Sequence, residues 1–166
     1  ENNATHFDAV ADILIAANLG IATDTWDNIP YFEAIQGPDN NFPSFDTQQE
    51  IYDEIFNLLD GAIAKLEVPD TSVFELGSED LIYGGNVEKW LRAAYSLKAR
   101  YQLHLVNKGL VAPAEVLASV ENGFTSNEDN FAMYYSDRNI NPWYSEEVLA
   151  RETGNLSKDI HGTSTR

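Results

Sequence analysis

GGNVEKWLRAAYSLKARYQLHL, residues 84–105, is the stretch whose reading decides the fold. It predicts one helix of about five turns. Gly84-Gly85 interrupts the chain before it, and Asn86 stands where an N-cap side chain accepts from an otherwise unpaired amide. Trp90, Ala94, Leu97, Tyr101 and Leu105 recur at helical spacing and share one face. Beside that face runs a second stripe of Lys89, Arg92, Ser96 and Arg100. Two readings of the stripe stay open: a solvated flank of a core helix, or an anion site. Asn107-Lys108-Gly109 closes the helix, with Lys108 suited to its negative end.

Working outward, Thr47-Gln48-Gln49-Glu50 has the spacing of a capping box, with Asp46 a competing cap. It opens a helix whose face is Ile51, Ile55, Leu58, Ala62 and Leu66, widened by Phe56, Leu59 and Ile63 and closed by Pro69. Residues 4–19 predict another helix, with Phe7, Val10, Ala11, Leu14 and Ala17 on one side and Gly20 ending it. Pro113 starts a short helix, Ala114 to Glu121. Between these lie long connections, 21–46 and 67–85, the first broken by Pro30, Pro38 and Pro43. From Asn122 regularity fades, with room for a short extended piece, and residues 153–166 read as a poorly ordered tail. The expected class is all-α, with tetratricopeptide-like helix pairs and long irregular loops, in one domain spanning 1–166.

Composition removes several functions. The 166 residues carry 27 acids against 10 Lys and Arg, a net charge of −17, which argues against binding phosphate backbones. Residues 1–64 hold no Lys or Arg, whereas Lys89, Arg92, Lys98, Arg100 and Lys108 cluster within and just after the decisive stretch. That asymmetry predicts a basic helix packed among acidic segments. With no cysteine there is no disulfide, thiolate nucleophile or cysteine metal site. No apolar run of about 18–20 residues and no signal peptide is read. A start at Glu1 rather than Met is expected of a processed or excised piece.

No catalytic constellation emerges. His6, His104 and His161 lie far apart without paired-ligand spacing, and His104 reads as a packing residue. Asp39-Asn40-Asn41 and Asn127-Glu128-Asp129-Asn130 miss the spacing of a calcium loop and read as turns. No metal or other cofactor is implied. Aromatic residues in loops carry the remaining chemistry: Trp26, Tyr31 and Phe32 in the first, Trp143 and Tyr144 in the last. Such rings either stack on the apolar faces of sugars or pin loops onto helices. Trp26, Tyr31, Trp143 and Tyr144 are the candidate ligand-binding residues.

Three segments, taken in order, resemble the SusD/RagB family of outer-membrane glycan-binding lipoproteins of Bacteroidetes-type bacteria: WDNIPYFEAIQG, FPSFDTQQEIYDEIFNLLDGAIAKL and DLIYGGNVEKWLRAAYSLKARYQLHL. The matching residues include Trp26, Pro30, Tyr31, Asp46, Gln48, Tyr52, Asp80, Tyr83, Gly85, Lys89, Trp90, Ser96 and Arg100. Asp27-Asn28 stands where the pattern has Gly-Asp, Asn86 replaces an Asp, and Tyr95 replaces an Asn. The resemblance covers Phe7 to Tyr144, a part of the longer family fold. It implies a lipid-anchored, non-enzymatic protein on the outer face of the outer membrane. Such a protein captures oligosaccharides for a SusC-like TonB-dependent transporter. Asp80, Lys89, Trp90, Ser96 and Arg100 coincide with scaffold positions. Lys89, Ser96 and Arg100 are expected to bind acidic loops, Asp80 or the Asp24–Asp27 segment, so that Arg100→Ala lowers stability. The alternative is a helical-repeat module that docks a protein partner and has no glycan site of its own.

Overall fold

The computed structural model describes residues 5–136 and 140–149. The chain divides into two compact units, residues 1–131 and 132–166. The expected tail at 153–166 and His161 lie outside the described residues.

The first unit is built from four helices: α1 Thr5–Trp26, α2 Gln48–Leu66, α3 Val87–Val106 and α4 Pro113–Glu121. Side-chain links fix their directions. Asp12 pairs with Lys65 at 2.7 Å, while Gln48 Nε2 donates to the Thr23 carbonyl at 3.0 Å, so α1 and α2 are antiparallel. Lys98 binds Asp60, and Tyr52 lies 2.8 Å from His104, which makes α2 and α3 antiparallel too. Ser119 donates to Gln102 at 2.7 Å, and Ser96 accepts from the Phe124 amide at 2.9 Å, so α4 returns along α3. These are two helical hairpins sharing one core, the expected all-α arrangement of helix pairs.

α2 and α3 begin where their caps place them. Thr47 accepts from the Glu50 amide at 3.3 Å, and the Thr47 amide donates back to Glu50 at 2.8 Å. Asp46 does not compete for that cap. Its carboxylate accepts instead from the Tyr31 and Phe32 amides at 2.7 and 3.0 Å, and its backbone bridges Ile29. Asn86 caps α3 by accepting from the Lys89 amide at 3.0 Å. Gly109, at φ +71°, lets the chain leave α3. Pro113 occupies the first turn of α4.

α1 departs from its expected form. It runs through Gly20 to Trp26, and its buried face is Ala9, Ile13, Ala16, Leu19, Gly20 and Thr23 rather than Phe7, Val10, Ala11, Leu14 and Ala17. Apolar residues lie nearly all round this helix, so periodicity alone does not single out the packed side. Gly20 is there for proximity. A Cβ at that position would lie 2.2 Å from the Tyr101 ring, which seats on α1 and donates to the Ala17 carbonyl at 3.2 Å. By length and composition α1 is apolar enough to cross a membrane, against the sequence expectation. Here its buried stripe packs against α2 and α3.

The core comprises Ile13, Ile51, Ile55, Leu59, Ala62, Trp90 and Ala94, all at 0% exposure, with Tyr52, Tyr101 and Leu105 beside them. Trp90 is the pivot. Its indole N–H donates to Asp80 at 2.7 Å, and its ring meets Tyr83 and Phe131 edge-on at 5.1 and 5.7 Å. Asp80 also accepts from the Ile82, Tyr83 and Gly85 amides at 2.9, 3.2 and 3.0 Å. Burial works to raise its pKa, but those amides and the indole outweigh it and hold the carboxylate below its usual range. No strand forms among the described residues.

Candidate functional site

The second unit contains a cavity. Asn141 initiates its helical turn: its side-chain carbonyl accepts from the Trp143 and Tyr144 amides at 2.8 and 3.4 Å, with Pro142 between them. Tyr144–Leu149 then winds as one wide π-type turn. Against it opens a cavity of about 440 Å³ lined by Tyr135, Ser136, Ile140, Asn141, Tyr144 and Leu149. Two phenol rings, two aliphatic side chains and small polar groups suit a ligand with apolar faces and hydroxyl edges. Trp143, beside it in sequence, is 77% exposed.

Of the four aromatic candidates, Tyr144 therefore lines this cavity and Trp143 adjoins it in sequence. Trp26 and Tyr31 belong to the first unit. Trp26 is the last residue of α1, not a loop residue, and is 70% exposed. Tyr31 is half-buried against the core, edge-on to Phe32 at 5.1 Å, and so pins its loop. Tyr135 and Asn141 were not singled out by sequence. Asn-Pro before an aromatic pair is the signal that points to the Asn141 cap.

The first loop forms a separate exposed surface. Asp46 and Glu33 brace it, Glu33 accepting from the Ser44 amide at 3.0 Å and from Asn40 at 3.4 Å. Asp27 turns the chain in the left-handed region at φ +66°, where the family pattern has Gly, and Asn28 accepts from the Gln48 amide at 3.0 Å. From this frame Phe32, Ile35, Phe42 and Phe45 project into solvent.

The basic stripe of α3 is divided. Lys89 donates to the Glu128 carbonyl at 2.7 Å, and Ser96 holds the Phe124 amide. Arg92 binds Glu88 and lies 3.0 Å from Asp129, a carboxylate 1% exposed. Asp129 also accepts from the Thr125 amide and hydroxyl at 2.8 and 2.9 Å and from Ser126 at 3.3 Å. Those hydrogen bonds, led by the Thr125 amide, outweigh burial and lower its pKa to about 2. Arg100 is exposed, with no hydrogen bond or ion pair among the described residues. The partners expected for the stripe are engaged elsewhere: Asp80 with Trp90, and Asp24 with Tyr52 and His104 at 2.6 and 3.3 Å. Arg100 therefore makes no hydrogen bond or ion pair with either expected partner among the described residues, and its charge acts instead on the Tyr52 and Tyr101 phenols. Among the described residues, no three His, Cys, Asp or Glu side chains come together as a metal site.

The described helices form an all-α scaffold of the SusD class. The family model described as starch-binding and associating with the outer membrane matches residues 1–162, and the chain belongs to this SusD/RagB family. A SusD/RagB family protein from Bacteroides thetaiotaomicron is 33% identical and superposes with a TM-score of 0.77, over 92% of this chain and 31% of that one. A chitin-binding SusD homolog from Flavobacterium johnsoniae is 30% identical, with a TM-score of 0.69 over 87% of this chain and 31% of that one. A SusD homolog from Bacteroides uniformis gives 31%, 0.62, 78% and 27% for the same measures. The chain thus spans about a third of the length of these structures. No curated protein sequence matches it.

Proposed function

We propose that this chain is part of a surface-exposed, lipid-anchored protein of the outer membrane. In this reading it captures oligosaccharide and passes it to a SusC-like TonB-dependent transporter. Its contribution is binding, without bond-making chemistry. The observation that carries the reading is the Tyr135–Tyr144 cavity with exposed Trp143, found in a chain of a family described as starch-binding. Affinity electrophoresis of the full-length protein across a glycan panel tests it. A retarded band for at least one polysaccharide is expected, lost in Tyr144→Ala. No retardation across the panel overturns the reading.

A second reading, docking of a protein partner, is favoured by the braced loop that exposes Phe32, Ile35, Phe42 and Phe45. Co-purification with a large β-barrel after mild detergent extraction, weakened by Phe42→Ala, supports it. Recovery only as a lone species counts against it.

A further inference from the structure

A smaller cavity, about 280 Å³, opens between the end of α2, the first half of α3 and the turn after α4. Glu67, Glu88, Arg92, Tyr95, Glu121 and Thr125 line it, so three elements and the following turn converge there. Its volume is near the lower end for small-molecule sites, the size of one sugar ring rather than a chain of them.

The lining is aromatic and net negative. Arg92 is its one cation, and that charge is already met by Glu88 and by buried Asp129. Thr125 is turned to the same carboxylate, 2.9 Å from Asp129. Glu67 accepts only from the Tyr95 hydroxyl, at 3.2 Å, and Glu121 has no hydrogen bond or ion pair among the described residues. Two carboxylates thus face the cavity without a cationic partner, next to an aromatic ring.

We propose that this cavity is a subsite for a single hexosamine unit bearing a free ammonium group. The pyranose face packs on Tyr95 and Leu91, its hydroxyls meet carboxylate acceptors, and the ammonium lies between Glu67 and Glu121 near the Tyr95 ring. An uronic acid is repelled by the same carboxylates. An N-acetylated sugar forfeits the charge and adds bulk. The inference rests on the glycan-capture reading and adds to it the charge of one bound residue.

Calorimetric titration of the full-length protein with a glucosamine trimer, an N-acetylglucosamine trimer and spermidine tests it. The deacetylated trimer is expected to bind about fivefold more tightly than the acetylated one, the worth of one exposed charge-assisted contact. Tyr95→Asn and Glu121→Gln, at unchanged melting temperature, abolish that preference. Equal binding of the two trimers, or a preference untouched by both variants, overturns the subsite and leaves glycan capture standing. Spermidine binding as tightly as the glucosamine trimer overturns the sugar assignment. Failure of every glycan in a broad panel removes both proposals.

Discussion

Gly20 shows how a single hydrogen atom can decide a helix contact. An added Cβ meets the Tyr101 ring at 2.2 Å, far inside contact distance, with ring atoms on one side and the α1 backbone on the other. Gly20→Ala is expected to destabilise the chain by about 1–3 kcal/mol, as overpacking does, in urea unfolding followed by circular dichroism. Combining it with Tyr101→Leu should recover part of the loss; an additive penalty excludes the contact as the cause. Asp129 is a different kind of residue, holding a turn and Arg92 by charge. Its folded pKa lies at about 2, below the usual value for Asp of about 3.9, so its stabilisation is present above the unfolded value and lost as pH falls toward 2. Asp129→Asn should therefore be less stable than the parent at neutral pH, with the gap closing below about pH 4. A gap that is constant with pH refutes the assignment. Neither role was legible in sequence. Glycine at a helix end is the commoner pattern, and one Asp in an acidic run looks like its neighbours until Arg92 is seen beside it. Asp80, Trp90 and Tyr144 stood out beforehand because their residue types and family positions are specific.

At the scale of elements, legibility followed local chemistry. α2 and α3 are bounded by Thr47 and Asn86, whose side chains reach amides three residues on, so the signal lies within one turn of sequence. Thr47→Ala should cost about 1 kcal/mol and leave the loop before it ordered. α1 lacks such a bound at its C-terminal end: Asp27 leaves the helix in a left-handed turn that most residue types avoid. Its packed face is equally hidden, because Ala9, Ala16 and Gly20 are chosen for closeness rather than for hydrophobicity. The 27–46 loop depends on a contact across 15 residues, Asp46 to the Tyr31 amide. Asp46→Asn is expected to speed hydrogen exchange at the Tyr31 and Phe32 amides at least as much as at α2's first turn. Protection unchanged at Tyr31 and Phe32 shows that the Ile29 bridge alone holds the loop. The aromatic cavity was half legible for the same reason: Trp143 and Tyr144 were marked by composition, Tyr135 only by its fold position.

Over the whole molecule, charge governs. A net charge of −17 is spread unevenly, with twelve acids and no Lys or Arg in residues 1–64. α1 and α2 each contribute carboxylates to that region, and Lys65 answers Asp12 while Lys98 answers Asp60. Those pairs are short-range, whereas the remaining repulsion acts over distances that salt screens, about 10 Å at 0.1 M. Raising sodium chloride from low to moderate concentration should therefore raise the melting temperature. The same salt should weaken the glucosamine trimer more than the N-acetylated one, because only the former gains from the field of Glu67 and Glu121. Opposite signs in one buffer series separate the two effects: generic stabilisation by salt lifts stability without distinguishing the sugars. If salt lowers the melting temperature, the short ion pairs outweigh the long-range repulsion. If it weakens both trimers equally, the charge of Glu67 and Glu121 plays no part in choosing between them.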